Sequence, residues 1–194
     1  MSARFVWGAM LAAFCASSVG AQSGIVHIVI ETRAGVIEAD LDSARAPITV
    51  ANFLKYVDAK RYDGGRFHRT VTPDNQPDNR VKIEVVQGGT ARVQGAQRWP
   101  AIELERTNVT TITHGDGVLS MARGGPNTAT SDFFITIGPQ HELDFGGKRN
   151  ADGQGFAAFG RVTNGGDIVR TIQKSSAKLQ HLDPPIDIVS IKRK

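Results

Sequence analysis

Two neighbouring stretches, RFHRTV (residues 66–71) and VKIEVVQGG (residues 81–89), each set a long polar side chain, Arg69 or Gln87, among strand-forming residues. A strand that merely packed would show apolar alternation at those places. Between them lies TPDNQPDN (residues 72–79), whose Pro, Asn and Asp content marks a surface loop. Working outward, similar β-rich runs recur at residues 25–32, 36–41, 118–122, 133–137, 156–162 and 186–191. The first two are joined by RAG, a hairpin signal with Gly35 able to take positive φ. Only two segments have helical periodicity. Residues 47–60 place Pro47 in a first turn and Val50, Phe53, Leu54 and Val57 on one face, and residues 166–174 repeat the pattern with Ile168, Val169 and Ile172. About eight strands and two one-sided helices predict a mainly β protein: a closed eight-stranded antiparallel barrel capped by two α-helices. Closure removes exposed strand edges, and the helices cover the openings.

At 194 residues, 40% hydrophobic and 22% charged, the chain supports one globular domain. The net charge of +4 is scattered among acids rather than gathered into a stripe, so no nucleic-acid partner is expected. At the N-terminus, MSAR supplies one positive charge, residues 5–19 form a mostly apolar run, and VGA ends at Ala21 with small residues placed for a signal peptidase. Residues 1–21 are therefore expected to be a cleaved signal peptide and residues 22–194 the mature domain. The apolar run is shorter than the roughly 20 residues that span a bilayer, so no stable membrane insertion is expected after cleavage. Cys15, the one cysteine, falls within the leader. An exported chain without disulfides fits a periplasmic or secreted protein.

Other chemistry finds no support. HEL at residues 141–143 lacks the second histidine of a zinc-protease motif, and five scattered histidines offer no metal spacing. The acidic turns at 74–79 and 150–155 lack the terminal bidentate Glu of a calcium loop. The glycine pairs lack the Lys-Ser/Thr ending of a phosphate loop. No metal and no cofactor are expected.

The ordered set FHRTV, VVQGG, GVLSMARGGPNTATSDFFI (residues 117–135), ELDF (residues 142–145) and FAAFGRV (residues 156–162) resembles the cyclophilin-type peptidyl-prolyl isomerases over essentially all of residues 25–192. The resemblance implies an eight-stranded barrel with a proline-binding groove on its outer face. It implies proline-containing peptides and unfolded protein clients as partners, and a monomer. Residue by residue, it places Arg69 over the prolyl nitrogen as the catalytic donor, with Gln87 donating to the rotating carbonyl or orienting Arg69. Val85, Met121, Phe134 and Leu143 are implied to line an apolar pocket for the proline ring. The backbone around Ala122 and Arg123 is implied to pair with the peptide, with Phe156 a further substrate-binding residue and His68 either a groove-edge contact or structural. Taken without the family, Phe134, Met121 and Leu143 read as ordinary core, and Gln87 reads equally well as a buried hydrogen-bonding residue. A non-catalytic holdase on the same barrel is the alternative if the 72–82 loop occludes the groove.

The chain departs from the family's commonest pattern in ways that concern the ligand more than the reaction. Glu142 stands where cyclosporin-sensitive relatives have Trp, Phe156 where they have His, Asp132 where Gln is usual and Arg123 where Asn is usual. Glu84, three residues before Gln87, leaves the ring floor less aromatic than in many members.

Overall fold

The structure is a computed structural model that describes residues 24–90 and 99–194. The expected leader, with Cys15, lies outside the described residues. The elements run β1 (Ile25–Thr32), β2 (Gly35–Asp42), α1 (Pro47–Asp58), β3 (Arg66–Val71), β4 (Val85–Gly89), α2 (Thr107–Thr110), β5 (Val118–Met121), β6 (Phe133–Thr136), β7 (Ala158–Asn164), α3 (Gly166–Gln173), β8 (Ala177–Lys178) and β9 (His181–Arg193).

All pairings are antiparallel, in the order β1-β2-β7-β5-β6-β4-β3-β9, and β9 returns to β1. That return closes eight strands into the expected barrel. The two-residue β8 is additional: it folds back on the start of β9 as a hairpin arm. The β1–β2 turn is held by Thr32, whose Oγ accepts from the Ala34 and Gly35 N–H groups and donates to the Gly35 carbonyl. Gly35 has φ +138, as the hairpin reading required.

Several boundaries differ from expectation, among them the strand expected from Val81, which begins at Val85. The strand expected from Phe156 begins two residues later, because the Phe156 N–H is spent on the Leu143 carbonyl at 2.9 Å instead of on a ladder. The strand expected from Ile186 begins at His181. Pro184 and Pro185, which cannot donate to a ladder, occupy the interruption between the Arg69↔His181 and Phe67↔Ile186 pairs. The four-residue α2 is too short to show periodicity.

The barrel is filled by side chains. Phe53 from α1 meets Tyr62, Phe133 and Phe159 at ring-centre distances of 5.0, 5.4 and 5.2 Å, and Phe67 meets Phe133 at 5.8 Å. Such offset and edge-on pairs add roughly 0.5–1.5 kcal/mol each beyond area burial. Helix α1 packs against β2 and β9, and α3 against β2, β3 and β4.

Helix α1 begins without a side-chain cap of its own, because its N-cap is Ala46. Glu105 supplies one from 57 residues away: its carboxylate oxygens accept from the Ile48 and Thr49 N–H groups at 3.0 and 2.7 Å. A carboxylate there satisfies two orphan donors and faces the positive end of the helix dipole. Glu105→Ala is expected to lower stability by about 1–2 kcal/mol, read as a shifted urea midpoint at constant slope. An unshifted midpoint would mean that solvent caps the helix equally well.

Candidate active site

The pleat of β4 and β6 separates two apolar clusters. Val86, Phe133 and Ile135 point into the barrel core, while Val85 and Phe134 point outward and join Val71, Ile83 and Leu143 in a second cluster on the outer face. Strict alternation on β3 would turn Arg69 inward, two residues after the core-facing Phe67. It does not, because the β3–β4 register shifts between these residues: Phe67 opposes Gly88 and Arg69 opposes Gln87, leaving His68 as one extra residue. This β-bulge re-aims the guanidinium onto the outer face. Gln87 in turn opposes Phe134, and Phe134 opposes Ser120. Arg69, Gln87, Phe134 and Ser120 therefore form one lateral row across four strands.

Arg69 is held by neutral acceptors. Its Nη1 donates to Gln87 Oε1 at 2.9 Å, while Nε and Nη2 both donate to Gln180 Oε1 at 3.0 and 2.6 Å. Gln180 is fixed through its own Nε2, which donates to the Asn75 carbonyl. With its oxygen engaged, Gln87 keeps its amide N–H groups for a ligand. Burial lowers the Arg69 pKa from its ordinary value, and the charge of Arg149 lowers it further.

A pocket of about 260 Å³ opens on this row. Val85, Phe134 and Leu143 give it apolar walls, and Arg69 and Gln87 give it donors. Ala122, Arg123 and Phe156 also line it. Two expected members lie elsewhere. Met121 is 1% exposed and belongs to the barrel core, because alternation on β5 turns Ser120 and Ala122 outward and Met121 in. His68 lies off the pocket wall, with its Nε2 3.9 Å from Asp132 Oδ2. Glu142 is exposed, accepts from the Lys148 N–H at 2.7 Å and does not line the pocket. Glu84 likewise lies outside the lining, with its carboxylate on Gln173 Nε2.

The loop between β3 and β4 does not fill the pocket, to which only Ile83 contributes. It folds around Gln76, 1% exposed, whose Nε2 donates to the carbonyls of Thr72 and Ile83 and whose Oε1 accepts from the Ile83 N–H. A larger, shallower groove of about 730 Å³ runs beside α1 and Trp99. It shares no residue with the row, so the smaller pocket is the better candidate.

Beneath Phe134 lies an arrangement that was not singled out in the sequence. His114, fully buried, stacks on Phe134 with ring centres 6.0 Å apart and planes 15° apart. Its Nδ1 contacts Asp144 Oδ1 at 2.7 Å, and its Nε2 contacts Ser120 Oγ at 2.9 Å. The order Ser-His-Asp matches a hydrolase triad, but Ser120 is fully buried, so no substrate carbonyl reaches its hydroxyl. These groups hold the ring of Phe134. Burial pushes the Asp144 carboxyl up, but hydrogen bonds from the His114 ring and N–H, with the charge of His114, outweigh it and leave the pKa below the usual range.

Arg123 is committed to structure. Its Nε donates to the Gly155 carbonyl at 2.7 Å, its two terminal nitrogens grip Asp152 at 2.7 and 3.0 Å, and it sits 4.9 Å from the Phe156 ring centre. The Arg123 hydrogen bond, followed by that from the Gln154 N–H, brings the Asp152 pKa down to about 2. Gly155 has φ +66, and a Cβ there would come within 2.6 Å of the Asp144 carbonyl carbon, so only glycine brings this loop so close. Phe156, fixed by the loop, meets Phe134 edge-on at 5.4 Å.

A fixed guanidinium beside a small apolar pocket, with no accessible nucleophile among the described residues of the lining, suits binding and hydrogen-bond catalysis better than covalent chemistry. Comparison with known proteins supplies the chemistry. Residues 27–193 match the family model described as cyclophilin type peptidyl-prolyl cis-trans isomerase/CLD. The chain is 34% identical to the peptidyl-prolyl cis-trans isomerase cyp18 of Streptomyces antibioticus, over 84% of this chain and 94% of that one. It is 33% identical to peptidyl-prolyl cis-trans isomerase A of Dickeya dadantii, over 76% and 71%. A crystal structure of a Cryptosporidium parvum cyclophilin type peptidyl-prolyl cis-trans isomerase superposes with a TM-score of 0.70 at 22% identity, covering 88% of this chain and 98% of that one. The same protein crystallised in the presence of the dipeptide Ala-Pro gives 0.69.

Proposed function

Because this chain belongs to the cyclophilin-type peptidyl-prolyl cis-trans isomerase family, the bond it turns is X–Pro, and we propose that it does so in the pocket beside Arg69. An amide C–N bond resists rotation by about 18–20 kcal/mol because its nitrogen lone pair is delocalised into the carbonyl. Unaided X–Pro isomerisation takes tens to hundreds of seconds. At the twisted transition state the prolyl nitrogen recovers its lone pair and becomes a hydrogen-bond acceptor. A donor aimed at that nitrogen therefore binds the transition state more strongly than either planar ground state. Arg69 fills that role. Its fork is fixed by Gln87 and Gln180, and a guanidinium stays protonated where an ammonium would be mobile and strongly hydrated. Val85, Phe134 and Leu143 hold the ring, and the amide N–H groups of Gln87 meet the carbonyl as it turns. The observation that carries this reading is the lateral row Arg69–Gln87–Phe134, produced by the bulge at His68.

The working protein in this reading is an exported bacterial enzyme, acting as a monomer on proline-containing peptides and unfolded clients in the periplasm. Its support is the leader pattern of residues 1–21. Substoichiometric protein should accelerate cis–trans exchange of a proline peptide in an NMR exchange experiment, and periplasmic material should have Gln22 at its N-terminus by intact mass. An unchanged exchange rate would overturn the catalytic assignment, and retained Met1 would overturn the export assignment.

A further inference from the structure

Among the described residues, three arginines line the pocket and no aspartate or glutamate does. Arg123 is neutralised by Asp152. The other two are not. Arg69 meets only the amide oxygens of Gln87 and Gln180, and Arg149 Nη1 donates to Gln76 Oε1 at 2.9 Å and to the Val81 carbonyl at 2.7 Å. Among the described residues neither guanidinium has a carboxylate partner, and Nε and Nη2 of Arg149 have no hydrogen-bond partner. Both are half-buried, and burial lowers the pKa of each, the charge of Arg149 adding to the effect on Arg69. Two like charges held at the mouth of one partly desolvated pocket repel each other and focus positive potential onto whatever enters.

We infer that Arg149 is a specificity residue and that, with Arg69, it makes this isomerase favour proline peptides carrying an aspartate or glutamate next to the proline. The inference rests on the proline ring occupying the pocket beside Arg69. A carboxylate beside the ring would take the unused Nε and Nη2 edge of Arg149 as a planar, paired acceptor and offset the repulsion between the two guanidiniums. A lysine in the same place would add a third positive charge.

The test uses the whole protein and one peptide scaffold with Glu, Gln or Lys at the residue before or the residue after the proline. At low ionic strength kcat/KM for the best-placed Glu peptide should exceed that for its Gln counterpart by about tenfold, with the Lys peptide lowest. The Glu-to-Gln ratio should shrink in high salt. It should fall toward one in Arg149→Gln and be retained in part by Arg149→Lys, which keeps the charge but loses the fork. Using the ratio cancels any general loss caused by loosening the loop that Arg149 also anchors. A wild-type ratio of one at both positions overturns the inference, as does a ratio that survives Arg149→Gln. Equal turnover of Glu and Gln peptides would refute the preference while leaving the isomerase assignment standing. If no peptide were turned over, that assignment would fail instead, and the Glu-to-Gln ratio of dissociation constants from NMR titration would decide the charge preference by the same criteria.

Discussion

Arg69→Ala is expected to slow catalysed X–Pro exchange by at least about tenfold while the barrel remains folded. A hydrogen bond from a charged donor contributes roughly 1.5–3 kcal/mol, and each 1.36 kcal/mol of transition-state stabilisation is about tenfold in rate. The fold should survive because Arg69 belongs to neither apolar cluster, and its side-chain partners Gln87 and Gln180 are only half-buried, so water can satisfy them after truncation. Removing Arg69 also relieves the burial of one charge and its repulsion with Arg149. Arg69→Lys should recover little, since an ammonium cannot bridge both amide oxygens and the substrate in one plane. Exchange NMR gives the rate, and circular dichroism with thermal unfolding confirms the fold. A folded Arg69→Ala protein exchanging at the parent's rate would remove Arg69 from the mechanism.

Cyclosporin is expected to inhibit this protein poorly, and Glu142→Trp to improve inhibition by roughly a hundredfold. In sensitive relatives an indole at the matching position gives the macrocycle a large apolar contact and an N–H donor. Here the position presents an exposed carboxylate that already accepts from the Lys148 N–H and stands outside the pocket lining. An apolar ligand would strip water from that carboxylate without replacing its hydrogen bonds, which is unfavourable. Proline turnover should suffer far less, because the apolar walls of the pocket, Val85, Phe134 and Leu143, do not include Glu142. Inhibition constants from the exchange assay test this. Submicromolar inhibition of the unmodified protein, or no gain in the Trp variant, would contradict it.

The parts of this structure legible in the sequence were those with a period. The runs of β1, β2 and β6 could be assigned to strands because burial on a pleated surface imposes alternation or continuous apolarity. Closure of eight of them followed from the need to leave no edge. Alternation also holds information that family order alone conceals. If Phe134 faces outward then Phe133 must face in, and if Ala122 faces outward then Met121 must face in, which takes Met121 out of the pocket and into the core. What alternation cannot announce is its own interruption. The bulge at His68 carries no glycine and no turn residue, yet it decides which way Arg69 points. Gln180, 111 residues from Arg69, reaches it only because the β8–β9 hairpin lays His181 opposite Arg69. His114 and Glu105 act in the same way across 30 and 57 residues, through contacts that closure of the barrel creates. A lone polar residue in a loop gives no local signal of such a partner.

Intermolecular NOEs from the ring protons of a proline peptide, recorded while the protein turns it over, test the central claim most directly. The ring is predicted to contact Phe134, Leu143 and Val85, with the chemical shift of the Arg69 guanidinium following the same titration. Contacts to Trp99 and Leu54 in the groove beside α1, with the signals of Phe134 and Arg69 unmoved, would contradict it.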